Sequence, residues 1–419
     1  MRVLDGEFMV KSYVSSRSRF AYSPIAVVHK AAEELIRKKV SIVKFDSGDP
    51  AVYFKTPKYI IDAYVAALRS GKTYYSRPEG VRELVDAVAA RYKRMYGLRA
   101  TGDDVVVTEG LSEAFTFINN ALADPGERGI LFRPYYAPYS VYANLNSVEP
   151  LYGDYSESDD WSIDLDGLRK SLGKLSASQR RRIKYMLLTN PNNPTGTVLD
   201  RKVLGEVVDI ANQNDIFLIS DEIYDELVFG KRFTSIAEVA KGVPYSIMNG
   251  ASKDFDATGF RVGFIITPGD DRKSEQVRSA FSDYAVGRLC ANTPAQYAVA
   301  EGISNLKEHS RSIEKMRSAI GRRVKLASKR LSENKYLEVI EPHGAFYVFP
   351  RIDLKALHMR SDDEFVLSVL REKHVQIRSG TAFGSPSHFR MVALAPKDIL
   401  EDGIDRINDF CRKHAKTGP

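Results

Sequence analysis

Apolar positions along this chain fall into two rhythms. Before residue 100 they recur at three- and four-residue spacing, the pattern of amphipathic helices. Val27, Val28, Ala31, Leu35 and Ile36 predict one helix, opened by Ser23-Pro24-Ile25. Ile60, Ile61, Tyr64, Val65 and Leu68 share one face of a second helix over 57–70, and a third is expected over 81–95. Between the first two, Val43-Lys-Phe45 reads as a short strand running into the turn Asp46-Ser-Gly-Asp-Pro50. Gly48 either lets a ligand approach the backbone or simply makes that turn.

From Asp104 onward the rhythm changes. Short, nearly continuous apolar runs at 105–107, 130–132, 185–188, 216–219 and 247–248 alternate with helical stretches. Such runs are expected for strands buried on both faces of a mostly parallel sheet. A charged, mostly helical region over 294–334 follows. Short strands at 337–340, 345–349, 375–377 and 390–393, with terminal helices, then read as a small α+β domain. The fold class is therefore α/β. The expected division is a large domain over 54–304 and a smaller one assembled from 1–53 and 305–419.

Composition narrows the function classes. The chain has 419 residues, 43% hydrophobic and 27% charged, ordinary for a globular protein. The net charge of +7 is spread along the chain. The tight basic cluster Arg180-Arg181-Arg182 lacks interleaved aromatics and reads as a solvated loop, so no nucleic-acid partner is expected. Cys290 and Cys411 lie far apart, which argues against a disulfide framework, and no Cys/His cluster has metal-ligand spacing. No apolar run reaches membrane-spanning length and the N-terminus lacks a leader-like apolar region, so no membrane partner and a cytoplasmic location are expected. Gly71-Lys72-Thr73 imitates a phosphate-binding loop. Ala66 stands where that motif needs glycine, and a helix precedes it rather than a strand, so Gly71 reads as a helix cap.

Ligands of open α/β sheets bind beyond the carboxyl ends of the strands. Asn193, Asp221, Tyr224 and Lys253 sit at such ends, and Arg261, which opens the apolar run 262–267, could converge on the same crevice. A lysine there is either paired in a turn or used chemically. The use would be a Schiff base, which needs an ammonium destabilised by burial or a nearby cation. A buried Asp221 carboxylate needs a cation, and a protonated pyridine nitrogen would serve. Tyr224 and Asn193 are candidates for a ring's phenolic oxygen, and Tyr136 for stacking on the ring. The amides of Gly110, Leu111 and Ser112 precede a helix, and helix N-termini bind phosphate, with Ser252 and Arg261 beside them. Simpler readings stay open: Asp221 as a helix cap, Tyr224 as core, Asn193 as a turn former, Arg261 as a surface strand residue.

These motifs together resemble the class I/II aminotransferases, pyridoxal-phosphate enzymes of fold type I, and most closely the archaeal-type alanine aminotransferases. The resemblance rests on Asn190-Pro-Asn-Asn-Pro-Thr-Gly196, Ser220-Asp-Glu-Ile-Tyr224, Ser252-Lys253 with Arg261-Val-Gly263, Pro342-His-Gly-Ala-Phe-Tyr347 and Phe389-Arg390. Ser47-Gly-Asp-Pro50, Asp160-Trp161, Met248-Asn-Gly250 and Arg288-Leu-Cys-Ala-Asn-Thr-Pro-Ala-Gln296 carry its finer part. It implies a seven-stranded sheet and pyridoxal 5′-phosphate bound through Lys253. Asp221 is then expected on the pyridine nitrogen, with Asn193 and Tyr224 on the phenolic oxygen. Gly110, Leu111, Ser112, Ser252 and Arg261 are expected on the phosphate, and Arg390 on the substrate α-carboxylate, helped by Gly48 and Asn193. Tyr75 resembles the tyrosine that reaches the neighbouring subunit's cofactor, which implies a homodimer with shared sites. The implied reaction moves an amino group from an L-amino acid, alanine favoured, to 2-oxoglutarate. An aspartate or aromatic aminotransferase, or a carbon–sulfur β-lyase, is the alternative. The arginine that takes a dicarboxylate side chain from the partner subunit has no clean counterpart, since Arg288 is shifted by one position. Loops near 15–25 are expected to help select the substrate.

Overall fold

The computed structural model describes residues 13–15, 17–18 and 25–416. Ser23, Pro24 and most of the loop near 15–25 lie outside the described residues. Helix α1 (Ile25–Arg37) leads to strand β1 (Val43–Lys44), then α2 (Lys58–Arg69) and α3 (Arg82–Tyr96). Helix α2 ends before Gly71, whose φ of +74° closes it in the left-handed conformation glycine favours. The Gly71-Lys-Thr segment is thus a helix terminus, not a phosphate loop.

Strands β2 (Val105–Thr108), β3 (Arg128–Arg133), β4 (Glu149–Ser156), β5 (Ser162–Ile163), β6 (Ile183–Thr189), β7 (Phe217–Asp221), β8 (Tyr245–Gly250) and β9 (Gly263–Ile266) form one sheet in the order β2-β9-β8-β7-β6-β3-β4-β5. Neighbours β8, β7, β6, β3 and β4 run parallel, and β9 runs antiparallel to both β2 and β8. The seven expected strands are joined by an eighth, the two-residue antiparallel edge β5. Helices α4 (Leu111–Leu122), α5 (Pro138–Leu145), α6 (Leu165–Gly173), α7 (Ala177–Arg181), α8 (Arg201–Gln213), α9 (Arg272–Arg288) and α10 (Thr293–Ser304) connect and cover the strands. Apolar clusters on the two faces explain why the strand sequences do not alternate. Ile130, Met186, Leu218 and Ile247 face one cluster, whereas Leu131, Leu187, Ile219 and Met248 face the other.

The long helix α11 (Leu306–Ser332) leads into β10 (Leu337–Glu338), β11 (Tyr347–Val348) and β12 (Arg351–Ile352). Helix α12 (Asp362–Lys373), β13 (Val375–Gln376), β14 (Arg378–Ser379), β15 (Phe389–Val392) and α13 (Lys397–Lys416) complete the described chain. Strand β15 pairs antiparallel with β11 and β14, with Arg390 opposite Arg378. Strand β1 pairs in parallel with β13, so residues near 45 pack into a third cluster with Phe389, Met391 and Phe410. Among the described residues no helix is long and apolar enough to cross a membrane.

Candidate active site

The turns beyond the strand ends place the chemistry. Strand β7 ends on Asp221, β6 runs through Thr189 toward Asn193, and β8 passes Gly250 to reach Ser252 and Lys253. The antiparallel β9 begins at Gly263, so Arg261 enters from the same edge. A cavity of about 760 Å³ opens there. It is lined by Leu111, Ser112, Tyr136, Asn193, Asp221, Tyr224, Ser252, Lys253 and Arg261 from the sheet side. Tyr347, Arg378, Phe383 and Arg390 face them, with Gly48 and Asp49 from the turn after β1. Gly110 lies just outside the lining, against Arg261.

Lys253 is half-buried, and its Nζ donates to the Gly48 carbonyl at 2.6 Å. Burial is the main cause that brings its ammonium down to about 8, opposed by Asp49 and reinforced by Arg390. The amine is therefore close to the neutral form that attacks a carbonyl. Gly48 is confined because a Cβ there would sit 2.6 Å from the Tyr347 hydroxyl.

Arg390 is buried. Its Nη1 donates to Asn193 Oδ1 at 2.9 Å and its Nη2 to the Asp46 carbonyl at 2.7 Å. The rings of Tyr347 and Phe383 lie 4.6 and 4.7 Å from the guanidinium carbon. Planar packing and fixed acceptors pre-set the fork for a carboxylate. Asn193 also donates to the Tyr347 hydroxyl at 3.3 Å, and Tyr347 lies 2.7 Å from the Tyr224 hydroxyl.

Asp221 is buried and accepts from the Tyr139 hydroxyl and from the Ile223 amide at 3.1 Å. Burial pushes its carboxyl up to about 6, against those two donors and Lys253. Tyr139, one helical turn beyond Tyr136, is a site residue that sequence reasoning missed. So are Tyr347, Arg378 and Phe383. In a chain with 22 tyrosines, only the three-dimensional path of α5 marks Tyr139 as the one beneath Asp221. Tyr136 keeps 39% exposure and meets Tyr139 edge-on at 5.4 Å.

The expected pyridoxal phosphate fits this arrangement. Among the described residues Asp221 has no hydrogen-bonded cation, so a protonated ring nitrogen would give a buried carboxylate the partner it lacks. Gly110 precedes α4 at φ +73°, and a Cβ there would lie 2.4 Å from Arg261 Nη2. The first amides of α4, which have no earlier turn to bond, thus share one space with a guanidinium. Arg261 itself adopts φ +57°, an uncommon conformation for a side-chain-bearing residue, held by its bonds to the Thr258 and Glu109 carbonyls.

Two residues stand apart from the cavity. Tyr75 is 79% exposed and does not line it. Arg288 is pinned within its own chain, 3.0 Å from Glu113 and 3.1 Å from the Pro78 and Val107 carbonyls.

Comparison with known proteins agrees with this geometry. The family model "Aminotransferase class I and II" matches residues 40–407. A solved alanine aminotransferase from Pyrococcus furiosus superposes with a TM-score of 0.90 at 36% identity, covering 96% of this chain and 100% of that one. The aspartate aminotransferase of Thermotoga maritima is 32% identical over 90% of this chain and 94% of its own. The glutamate-pyruvate aminotransferase of Haemophilus influenzae is 30% identical over 91% and 94%. With the match running through every strand of the central sheet and both walls of the cavity, the chain belongs to the class I and II aminotransferases, enzymes that depend on pyridoxal phosphate.

Proposed function

We propose that this enzyme moves the amino group of an L-amino acid, with alanine as the preferred donor, to 2-oxoglutarate in two successive half-reactions. The observation that carries this reading is the facing of Lys253 and Arg390 across one cavity floored by Asp221. The preference for alanine is supported by the 36% identity to the Pyrococcus alanine aminotransferase. Aspartate is the second choice, since relatives named for it are similar over nearly the whole chain.

When bound, pyridoxal phosphate supplies a carbonyl, an electron sink and a carrier for the amino group. Ser112, Ser252, Arg261 and the amides of 110–112 would hold its phosphate, and Tyr136 would cover its ring. Asp221 would keep the ring nitrogen protonated, and Tyr139 orients that carboxylate. Tyr224 and Asn193 would bind the phenolic oxygen. Arg390, with Asn193 and Gly48, would grip the α-carboxylate and so aim the α-hydrogen at Lys253. The neutral Lys253 amine would then take that proton and return it during the exchange. Tyr347 and Phe383 fix the guanidinium and exclude water around it.

We also infer a homodimer located in the cytoplasm, built from a large domain over 54–304 and a small one from 1–53 and 305–419. Its support is an exposed apolar group, Ile61, Val65 and Leu68 on α2 with Tyr74 and Tyr75 beyond it. Tyr75 would then reach the other subunit's cofactor.

The test is the visible absorbance of the cofactor-loaded protein mixed with L-alanine alone. The band is expected to fade and to recover with 2-oxoglutarate, and Lys253→Ala is expected to abolish both changes. A band indifferent to alanine but responsive to aspartate would replace the donor. Steady ammonia release from cystathionine without amino exchange would replace transfer by β-elimination.

A further inference from the structure

Arg390 is not the only arginine on its wall of the cavity. Arg378 lies directly opposite it in the β14–β15 pair, and both line the same space. One backbone oxygen grips both. The Asp46 carbonyl accepts from Arg378 Nε at 3.0 Å and from Arg390 Nη2 at 2.7 Å. Two like-charged groups are thus clamped side by side by a neutral acceptor, an arrangement that costs energy unless an anion joins them.

The protein compensates Arg378 only in part. Its Nη2 reaches the Asp46 carboxylate at 3.4 Å and the His29 ring at 3.3 Å, both long contacts. Among the described residues its Nη1 has no hydrogen-bond partner. Burial and the Arg390 charge bring its guanidinium down to about 10, so it stays charged at neutral pH while lacking a full counter-ion. Arg390 has neutral partners only, Asn193, a carbonyl and two aromatic faces, and its buried Nε has none. The two arginines therefore differ in role: one is preset for the carboxylate beside the reacting carbon, and the other waits for a second anion on the same ligand.

We propose that Arg378 binds the distal carboxylate of a dicarboxylic amino acid or 2-oxoacid, so that two arginines of one chain hold one diacid. This rests on the aminotransferase reading above. It also explains how the chain recognises a dicarboxylate although Arg288 is committed to Glu113 and two carbonyls. A monocarboxylic substrate such as alanine would use Arg390 alone and leave Arg378 with Asp46 and His29. One site then serves a small donor and a diacid acceptor without moving a side chain from the partner subunit.

The test compares Arg378→Met with wild type, both loaded with cofactor. Removing the arginine leaves the buried Asp46 carboxylate short of a cation, so a second variant joins Arg378→Met to Asp46→Asn. Specificity constants are measured for glutamate and 2-oxoglutarate, and for alanine and pyruvate. Binding of glutarate and of butyrate, which do not react, is measured by calorimetry. A charge-assisted contact predicts a loss of about 10- to 100-fold for the diacids. The monoacids are expected to lose at least tenfold less, in both variants. Equal losses for the two classes would overturn the proposal, because Arg378 would then serve only the shared α-carboxylate or the frame around it. Unchanged diacid kinetics and glutarate affinity would overturn it as well. If wild type fails to exchange amino groups with any of the four substrates, the aminotransferase reading fails by itself, and the glutarate titration alone decides whether Arg378 holds a second carboxylate.

Discussion

At the scale of single residues, the decisive quantity is the proton on Lys253. Burial lowers its ammonium from 10.5 to about 8. The unfolded chain keeps that proton up to the ordinary value, whereas the native protein releases it earlier. Stability therefore rises with pH between about 8 and 10.5, and below 8 the cost of a charged, desolvated amine is constant. In the function proposed above, the same titration governs reactivity. Capture of pyridoxal phosphate by the apoprotein, followed by its absorbance, is expected to quicken with pH and to level off above about 8. A rate that climbs steadily past pH 10 would mean the amine is not desolvated. Lys253, Asp221, Asn193, Arg261 and Arg390 were legible in the sequence because each breaks an apolar run at a strand end or motif. Tyr139, Arg378 and Tyr347 were not. Tyr347 closes a motif and Arg378 follows the strand expected over 375–377, but neither position says that its side chain turns inward; strand pairing and the course of α5 bring all three to the cavity.

At the scale of elements, one buried ion cluster joins four segments. Arg91 Nη2 on α3 lies 2.9 Å from Asp225, 2.9 Å from Glu226 and 3.5 Å from Asp254. His309 on α11 meets Glu226 at 2.7 Å, and Tyr96 donates to Asp225 at 2.6 Å. The turn after β7 and the residue following Lys253 are thereby tied to two helices. Removing the arginine leaves buried carboxylates without their cation. Arg91→Met is expected to lower stability by about 3–5 kcal/mol in denaturant unfolding. A loss below about 1 kcal/mol would show that His309 and protonation of Asp254 suffice. Burial would raise the Glu226 carboxyl, but Arg91 and His309 overcome this and hold it near 2. Its contribution is full above the ordinary 4.5 and fades as pH falls toward 2. Nothing in the sequence signals this cluster, since an arginine in the stretch Ala-Ala-Arg-Tyr-Lys-Arg reads as a solvent-facing position. Strand β4 escaped for the opposite reason: Glu149–Ser156 is only half-covered near the sheet edge and carries no continuous apolar run. Strands β2, β6 and β7, almost wholly buried and mostly apolar along their length, were legible at once.

At the scale of the whole molecule, the exposed apolar group around α2 sets an expectation for assembly. Sedimentation of the wild-type protein is expected to give twice the single-chain mass. Val65→Asp combined with Leu68→Asp is expected to shift it to the monomer and to weaken cofactor retention through loss of Tyr75. A double variant that stays dimeric would place the contact elsewhere. The parallel pairing of β1 with β13 has a further consequence, for the order in which the enzyme is made. Arg378 reaches back 332 positions to the Asp46 carbonyl, and Val392 donates to Phe45. A chain still emerging from the ribosome at residue 370 has already synthesised every strand of the central sheet, with Lys253 and Asp221 at their ends. It has neither Arg378 nor Arg390, and β1 has no neighbour to pair with. The two arginines that face Lys253 across the cavity are thus synthesised only after every strand of the sheet that carries the lysine's side of it.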